Sequence, residues 1–277
     1  MHSSFGSKLL ESFEARGQLC VGIDPHSSLL QSWDLPDSAA GVREFALRVV
    51  DAAAGKVGII KPQVSFFERF GAAGFEVLAE ITNQAKESGL LVIADAKRGD
   101  IGTTMDAYFE AWFGDTSGLY ADALTVSPYL GLGSISSGFE KWKHAGKGIF
   151  SLVATSNPEG QTVQLASIDG ESLAVSQLNQ LSNLNGATDS LGSYGAVIGA
   201  TLEFRKFGIP LNPSNIPVLA PGFGAQGAEL SEAKRIFAGL SGQVCFSVSR
   251  SVLAAGKDGI DSAIDSANTQ LRAGLAG

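Results

Sequence analysis

Eight short apolar runs punctuate the chain, at 19–23, 57–60, 90–94, 123–126, 149–154, 196–199, 218–220 and 244–248. Each is too short for a buried helix and is mostly β-branched or aliphatic, the pattern of strands covered on both faces. Between them, apolar positions recur at helical spacing over 42–53, 74–88, 105–112, 173–184 and 229–239. Strand followed by helix through eight rounds predicts an α/β protein. The expected architecture is a TIM-type (β/α)8 barrel with a closed parallel sheet, in one domain over residues 1–277. Doubly wound sheets share the alternation, and it is the count of eight that favours closure. No fixed-period repeat marks a solenoid.

Nearly every apolar run ends in polar or turn residues. These are Asp24-Pro25-His26, Lys61-Pro62-Gln63, Asp95-Ala96-Lys97, Ser127-Pro128, Thr155-Ser156-Asn157-Pro158, Pro221-Gly222-Phe223-Gly224 and Ser249-Arg250. In a parallel barrel all these ends open on one face, where barrel enzymes carry their chemistry.

Composition narrows the partners. Acids outnumber bases 28 to 20, for a net charge of −8, which argues against nucleic-acid binding. Any phosphate-bearing ligand must therefore be small and gripped locally. Cys20 and Cys245 lie in apolar runs and are expected to be buried free thiols. The first residues carry Lys8, Glu11, Glu14 and Arg16, and no stretch approaches a membrane span, so a cytoplasmic protein with no membrane partner is expected. His2, His26 and His144 are scattered without metal-ligand spacing, so no metal is expected, and His26 is expected at the surface, with a ligand-contacting loop position as the other reading. Phe66, Phe67 and Phe70 are expected to be core residues.

The most unusual segment is Asp95-Ala96-Lys97-Arg98-Gly99-Asp100-Ile101-Gly102-Thr103-Thr104. Asp95 and Lys97, two apart at the end of an extended run, project the same way. Lys61, ending the preceding strand, is expected beside Asp95. With Asp100 in the following loop, the mouth of the barrel would carry alternating charge: Lys61, Asp95, Lys97, Asp100. Opposite charges nearby keep lysines protonated, and a held ammonium favours a developing carbanion and can give it a proton. By itself the run serves equally well as an ion-pair brace, with Asp100 capping a helix.

A second signal is Pro221-Gly222-Phe223-Gly224-Ala225-Gln226-Gly227 after the seventh run, with Ser249-Arg250-Ser251 after the eighth. Barrels often hold phosphate in these two loops, where glycines let backbone N–H groups approach oxygen atoms and Arg250 offers a bidentate fork. Asp24 is suited to accepting hydrogen bonds from sugar hydroxyls, or to a turn before Pro25. Thr104 shares a helical face with Asp100. Ser156 and Asn157 suit the edge of an amide-like ring.

Asp95-x-Lys97-x-x-Asp100-Ile101-x-x-Thr104 resembles the signature of the orotidine 5′-phosphate decarboxylase family. So do Asp24 in Gly22-Ile23-Asp24-Pro25, Lys61, the Pro221 to Gln226 loop and Arg250, in family order over essentially the whole chain. Lys61-Pro62-Gln63 with Phe66-Phe67-Glu68 is similar to the family's longer bacterial branch. The resemblance implies decarboxylation of orotidine 5′-monophosphate to uridine 5′-monophosphate (UMP), the last step of de novo pyrimidine synthesis, without a cofactor. It implies that Lys97 protonates C6 and that Asp95 lies against the substrate carboxylate. Lys61 and Asp24 would hold ribose, and Ser156 the pyrimidine. Pro221, Gln226 and Arg250 would hold the phosphate. Asp100, Ile101 and Thr104 would serve the neighbouring subunit's site, in a homodimer with shared active sites. Asn157 stands where many shorter members have histidine, and 161–193 is long and polar. Two rivals remain: a related barrel decarboxylase acting on a sugar-acid phosphate with magnesium, and a catalytically silent nucleotide-binding protein.

Overall fold

The computed structural model describes residues 3–187, 190–212 and 214–277, so His2 and part of the polar 161–193 stretch lie outside the described residues. Eight strands pair in parallel in chain order: β1 (Leu19–Ile23), β2 (Ile59–Pro62), β3 (Leu91–Arg98), β4 (Ala123–Val126), β5 (Gly148–Ala154), β6 (Tyr194–Ile198), β7 (Val218–Ala220) and β8 (Val244–Val248). β8 returns to β1 and closes the barrel. β1, β4, β7 and β8 have the bounds the apolar runs predict. β2 and β3 run further, to Pro62 and Arg98. The reason is physical: an apolar run stops at its first charge, whereas a strand that lines a cavity continues through charged residues.

Side chains alternate between two cores. Leu19, Val21 and Ile23 pack outward against the helices, whereas Cys20 points to the barrel axis with Ile59, Ile93, Phe150 and Leu219. Phe5 and Leu9 of the helix Phe5–Arg16 pack into this inner cluster, Phe5 edge-on to Phe150 at 5.8 Å between centroids. The axis is thereby plugged at the amino ends of the strands and open only at their carboxyl ends. Both cysteines are free and buried, as expected, and burial pushes the Cys20 thiol up to about 12.

Helices start where serine caps them. Ser4, Ser38 and Ser172 each accept an N–H from the first turn of Phe5–Arg16, Ala39–Ala53 and Leu173–Asn185. The helices Phe5–Arg16, Leu132–His144 and Gly256–Ala276 have no counterpart among the periodic stretches of the sequence. Gly256–Ala276 buries only a narrow stripe, Ile260, Ile264, Ala267, Asn268 and Leu271, on an otherwise polar and alanine-rich helix. The expected helix at 229–239 is instead a 3-10 turn, a short helix Ala233–Phe237 and a second 3-10 stretch. It breaks at Ala238, whose φ is 43°, ahead of Gly239 and Gly242. The described part of 161–193 holds a short helix (Gly160–Gln164), an antiparallel ribbon pairing Ser167–Ile168 with Glu171–Ser172, and the helix Leu173–Asn185. Among the described residues, no helix is long and apolar enough to cross a membrane.

Candidate active site

A cavity of about 480 Å³ opens at the carboxyl ends of the strands. Small-molecule sites typically span about 300–1,000 Å³. Leu152, Val197 and Leu219 give it an apolar floor, and Asp24, Lys61, Asp95 and Lys97 line it. Lys61 Nζ donates to Asp95 Oδ2 at 2.8 Å and Lys97 Nζ to Asp95 Oδ1 at 2.6 Å. One carboxylate therefore lies between two ammonium groups. The Lys61 and Asp95 side chains are 7% and 11% exposed, while Lys97 is 44% exposed and faces the open cavity.

Register shows how this clustering arises. The partner of Asp95 across β2 is Gln63, two residues beyond Lys61. Lys61 is thus not level with Asp95, as the sequence suggests, but reaches up to it with its long side chain. The convergence of Asp95 and Lys97 is not a regular pleat either. Ala94 pairs with Leu124 and Arg98 with Val126, so three residues of β3 bulge opposite the single Thr125 of β4. Lys97 has a φ of 49°, in the left-handed region. Past the bulge the chain runs so close to β4 that a Cβ on Gly99 would lie 2.5 Å from the Ser127 carbonyl oxygen. Arg98 turns away from the cavity and pairs with Glu68.

The electrostatics reflect the geometry. Burial raises the proton affinity of Asp95, but the charges of Lys61 and Lys97 outweigh it and hold the carboxyl well below the usual carboxylate range. Burial likewise works against the Lys61 ammonium, and Asp95 and Asp24 overcome it, leaving Lys61 above the ordinary lysine value. Both groups stay ionised at neutral pH.

Asp24, at the end of β1, accepts a hydrogen bond from Ser249 through Oδ2, while its buried Oδ1 has no partner. That atom is a buried acceptor with no partner, on a residue that lines the cavity. Pro221, Gln226 and Arg250 also line the cavity. Gly222, Gly224 and Gly227 take φ values of 114°, 75° and 103°, and the loop closes on itself through Gly224 N–H to the Ala228 carbonyl at 2.8 Å. Arg250 is exposed at the mouth.

Four expected site residues do not line this cavity. Asp100 accepts the N–H of its neighbour Ile101 at 2.8 Å and does not cap the helix Gly102–Phe113, whose N-cap Ile101 has no side-chain hydrogen bond. Ile101 is 60% exposed, and Thr104 and Ser156 are exposed. At the end of β5 it is Thr155 that reaches the cavity. Its N–H donates to Gln164 Oε1 at 3.0 Å and its hydroxyl accepts from Gln164 Nε2 at 2.8 Å, with Asn157 at 2.6 Å on the other side. Conversely, His26 and Phe66, expected at the surface and in the core, lie with ring centroids 4.2 Å apart, tilted at 59°, and form part of the cavity wall. Gln63, Thr125 and Ser247 also line it. Sequence reasoning misses Gln63 because nothing in its local sequence separates it from an ordinary strand-end position. Thr125 and Ser247 carry one available signal: each is a hydroxyl inside an apolar run. Among the described residues, no three His, Cys, Asp or Glu side chains gather as a metal cage requires.

The geometry can be set beside known proteins. Residues 17–262 match the family model "Orotidine 5′-phosphate decarboxylase / HUMPS family". The orotidine 5′-phosphate decarboxylase of Streptomyces coelicolor is 46% identical over 256 residues, covering 92% of this chain and 91% of the relative. That of Salinispora tropica is 44% identical over 277 residues, with 99% of each chain covered. A crystal structure from Streptomyces avermitilis, described as an orotidine 5′-phosphate decarboxylase, superposes with a TM-score of 0.94 at 44% identity, covering 100% of this chain and 97% of the other. With a family match over most of its length, and relatives this similar end to end, the chain belongs to the orotidine 5′-phosphate decarboxylase / HUMPS family.

Proposed function

We propose that this protein removes carbon dioxide from orotidine 5′-monophosphate to give UMP, as a cofactor-free carboxy-lyase of pyrimidine synthesis. The observation that carries the reading is the Asp95 carboxylate fixed between the Lys61 and Lys97 ammonium groups, in a cavity of nucleotide size. When the C6–carboxylate bond breaks, its electron pair stays on C6 in the ring plane, where no π system accepts it. The Lys97 ammonium stabilises that pair electrostatically and then delivers a proton to C6. The substrate carboxylate lies against Asp95, and this repulsion is relieved as carbon dioxide leaves. Enzymes lower barriers by about 8–23 kcal/mol, and a reaction without an electron sink needs the upper part of that range.

No single charge supplies so much, so remote binding must position the base. The unpartnered Asp24 Oδ1 suits a ribose hydroxyl, with Lys61 beside it. Gln226 and Arg250 clamp the phosphate and Pro221 shapes the loop around it. Ser156 contacts the pyrimidine through movement of the Thr155–Asn157 turn.

The active form is a homodimer in which Asp100, Ile101 and Thr104 complete the neighbour's site. Their exclusion from their own chain's cavity supports this, as do the exposed apolar side chains Ile101, Tyr129 and Leu130, at 60%, 84% and 54%. The barrel works as one domain, in the cytoplasm. The deciding experiment follows absorbance of orotidine 5′-monophosphate with purified protein in excess chelator. Stoichiometric UMP is expected. UMP binding without turnover would instead make the protein a silent nucleotide binder, and activity lost to chelator would favour the magnesium-using sugar-acid decarboxylases.

A further inference from the structure

We propose that Thr125 is a positioning residue for this reaction: its hydroxyl locks both the backbone and the ammonium of Lys97. The inference rests on the decarboxylase reading for its kinetic consequence, but not for its geometry. Thr125 is 1% exposed and lies inside the barrel on β4. Opposite it, Asp95, Ala96 and Lys97 of β3 bulge where a regular ladder has room for one residue. A bulge leaves a backbone group without its ladder partner. Here that group is the Lys97 N–H, and Thr125 Oγ1 accepts it at 2.9 Å.

The same oxygen has one hydrogen to give, and it donates to Asp95 Oδ1 at 3.0 Å. Oδ1 is also the atom that accepts from Lys97 Nζ at 2.6 Å. A closed ring results, from Thr125 Oγ1 to Asp95 Oδ1, to Lys97 Nζ, down the lysine side chain to its own N–H, and back to Oγ1. The ring explains how lysine remains at a φ of 49°. Left-handed backbone at a non-glycine residue costs about 1–3 kcal/mol and persists only where surrounding contacts over-determine it. It also explains how a long, half-exposed side chain, with about 2 kcal/mol of rotamer entropy to lose, keeps one placement in an open cavity.

Valine has the shape of threonine without the hydroxyl, so Thr125→Val opens the ring at two points. We expect kcat to fall about 10- to 100-fold, since small misplacement of a reacting group costs rates of that order. KM should change less than about threefold. Thr125→Ser keeps the hydroxyl and should return kcat to near wild type. Wild-type kcat in Thr125→Val, KM rising in step with the fall in kcat, or Thr125→Ser as slow as valine would each overturn the proposal. If the valine variant does not fold, Thr125→Ala is held to the same criteria. A crystal structure of the variant separates this idea from the decarboxylase reading, because it needs no substrate. Lys97 should relax to negative φ or withdraw Nζ from Oδ1, and an unchanged Lys97 would refute the role even if the wild type proved inactive on the nucleotide.

Discussion

Replacing Lys61 by methionine tests the charged cluster where the protein has invested most. At 2.8 Å and an effective dielectric of about 20, the Lys61–Asp95 attraction is about 6 kcal/mol before desolvation is counted. Both groups are nearly buried, so desolvation offsets most of that gain. Removing one partner leaves the other charge uncompensated, at a cost of about 3–5 kcal/mol. Lys97 cannot take over. At 44% exposure its ammonium is largely hydrated, and in a water-like dielectric its pull on Asp95 at 2.6 Å is about 1–2 kcal/mol. Lys61→Met should therefore lose about 3–5 kcal/mol, whereas the double variant Lys61→Met/Asp95→Asn should recover much of the loss. Urea melts of the four proteins at one concentration close the double-mutant cycle.

The pH dependence has a definite sign. Asp95 lies well below its ordinary value, so its contribution is complete above about pH 4 and fades only as pH falls further. Lys61 lies above its ordinary value, so its contribution is complete below about pH 10 and is lost as pH rises through the raised value. The pair thus contributes a constant amount across the neutral range. In Lys61→Met the burial that raises Asp95 keeps its strength while one opposing charge is gone, so its folded value moves up towards the unfolded one and less stability is lost on acidification than in the wild type. A coupling energy under about 0.5 kcal/mol, the level expected of independent sites, with superimposable acid limbs, would refute the buried pair.

Lys97→Ala should abolish measurable turnover, a loss of at least about 10²–10⁴-fold for the proton donor alone, while UMP binding by calorimetry largely survives. Because Lys97 is half-exposed, its loss should cost no more than about 1–2 kcal/mol of stability; full activity would remove it as the donor. Mixing Lys97→Ala with Asp100→Ala subunits should restore about a quarter of the wild-type rate, since half of randomly exchanged dimers are hybrids with one complete site of two. No recovery after demonstrated exchange would mean that each site is built within one chain. Arg250→Ala should weaken the monophosphate by about 10- to 100-fold, as loss of charge-assisted hydrogen bonds does, and an unchanged affinity would end its phosphate role.

The eight apolar runs and the polar residues that terminate them were enough to give the barrel and its working face, because a strand buried on both sides must be apolar and a parallel barrel presents all its carboxyl ends together. Asp24, Lys61, Asp95, Lys97, Gln226 and Arg250 were legible for the same reason: each is a polar side chain placed just where an apolar run stops or in the loop beyond it. Features that depend on three-dimensional contact were not legible. No spacing rule could show that Gln63 is the register partner of Asp95, with Lys61 reaching up from below. Nor could it show that Lys97 owes its place to a bulge held by Thr125, a residue that reads as one more β-branched position in 123–126. Helix Phe5–Arg16 became the plug at the amino ends, and His26 with Phe66 part of the wall, for reasons that lie in residues far away along the chain. Local chemistry dictates which elements form and which faces they bury. Register, bulges and the packing between remote segments are settled only when the barrel closes, because each is a choice among nearly equal local options decided by the neighbours it meets.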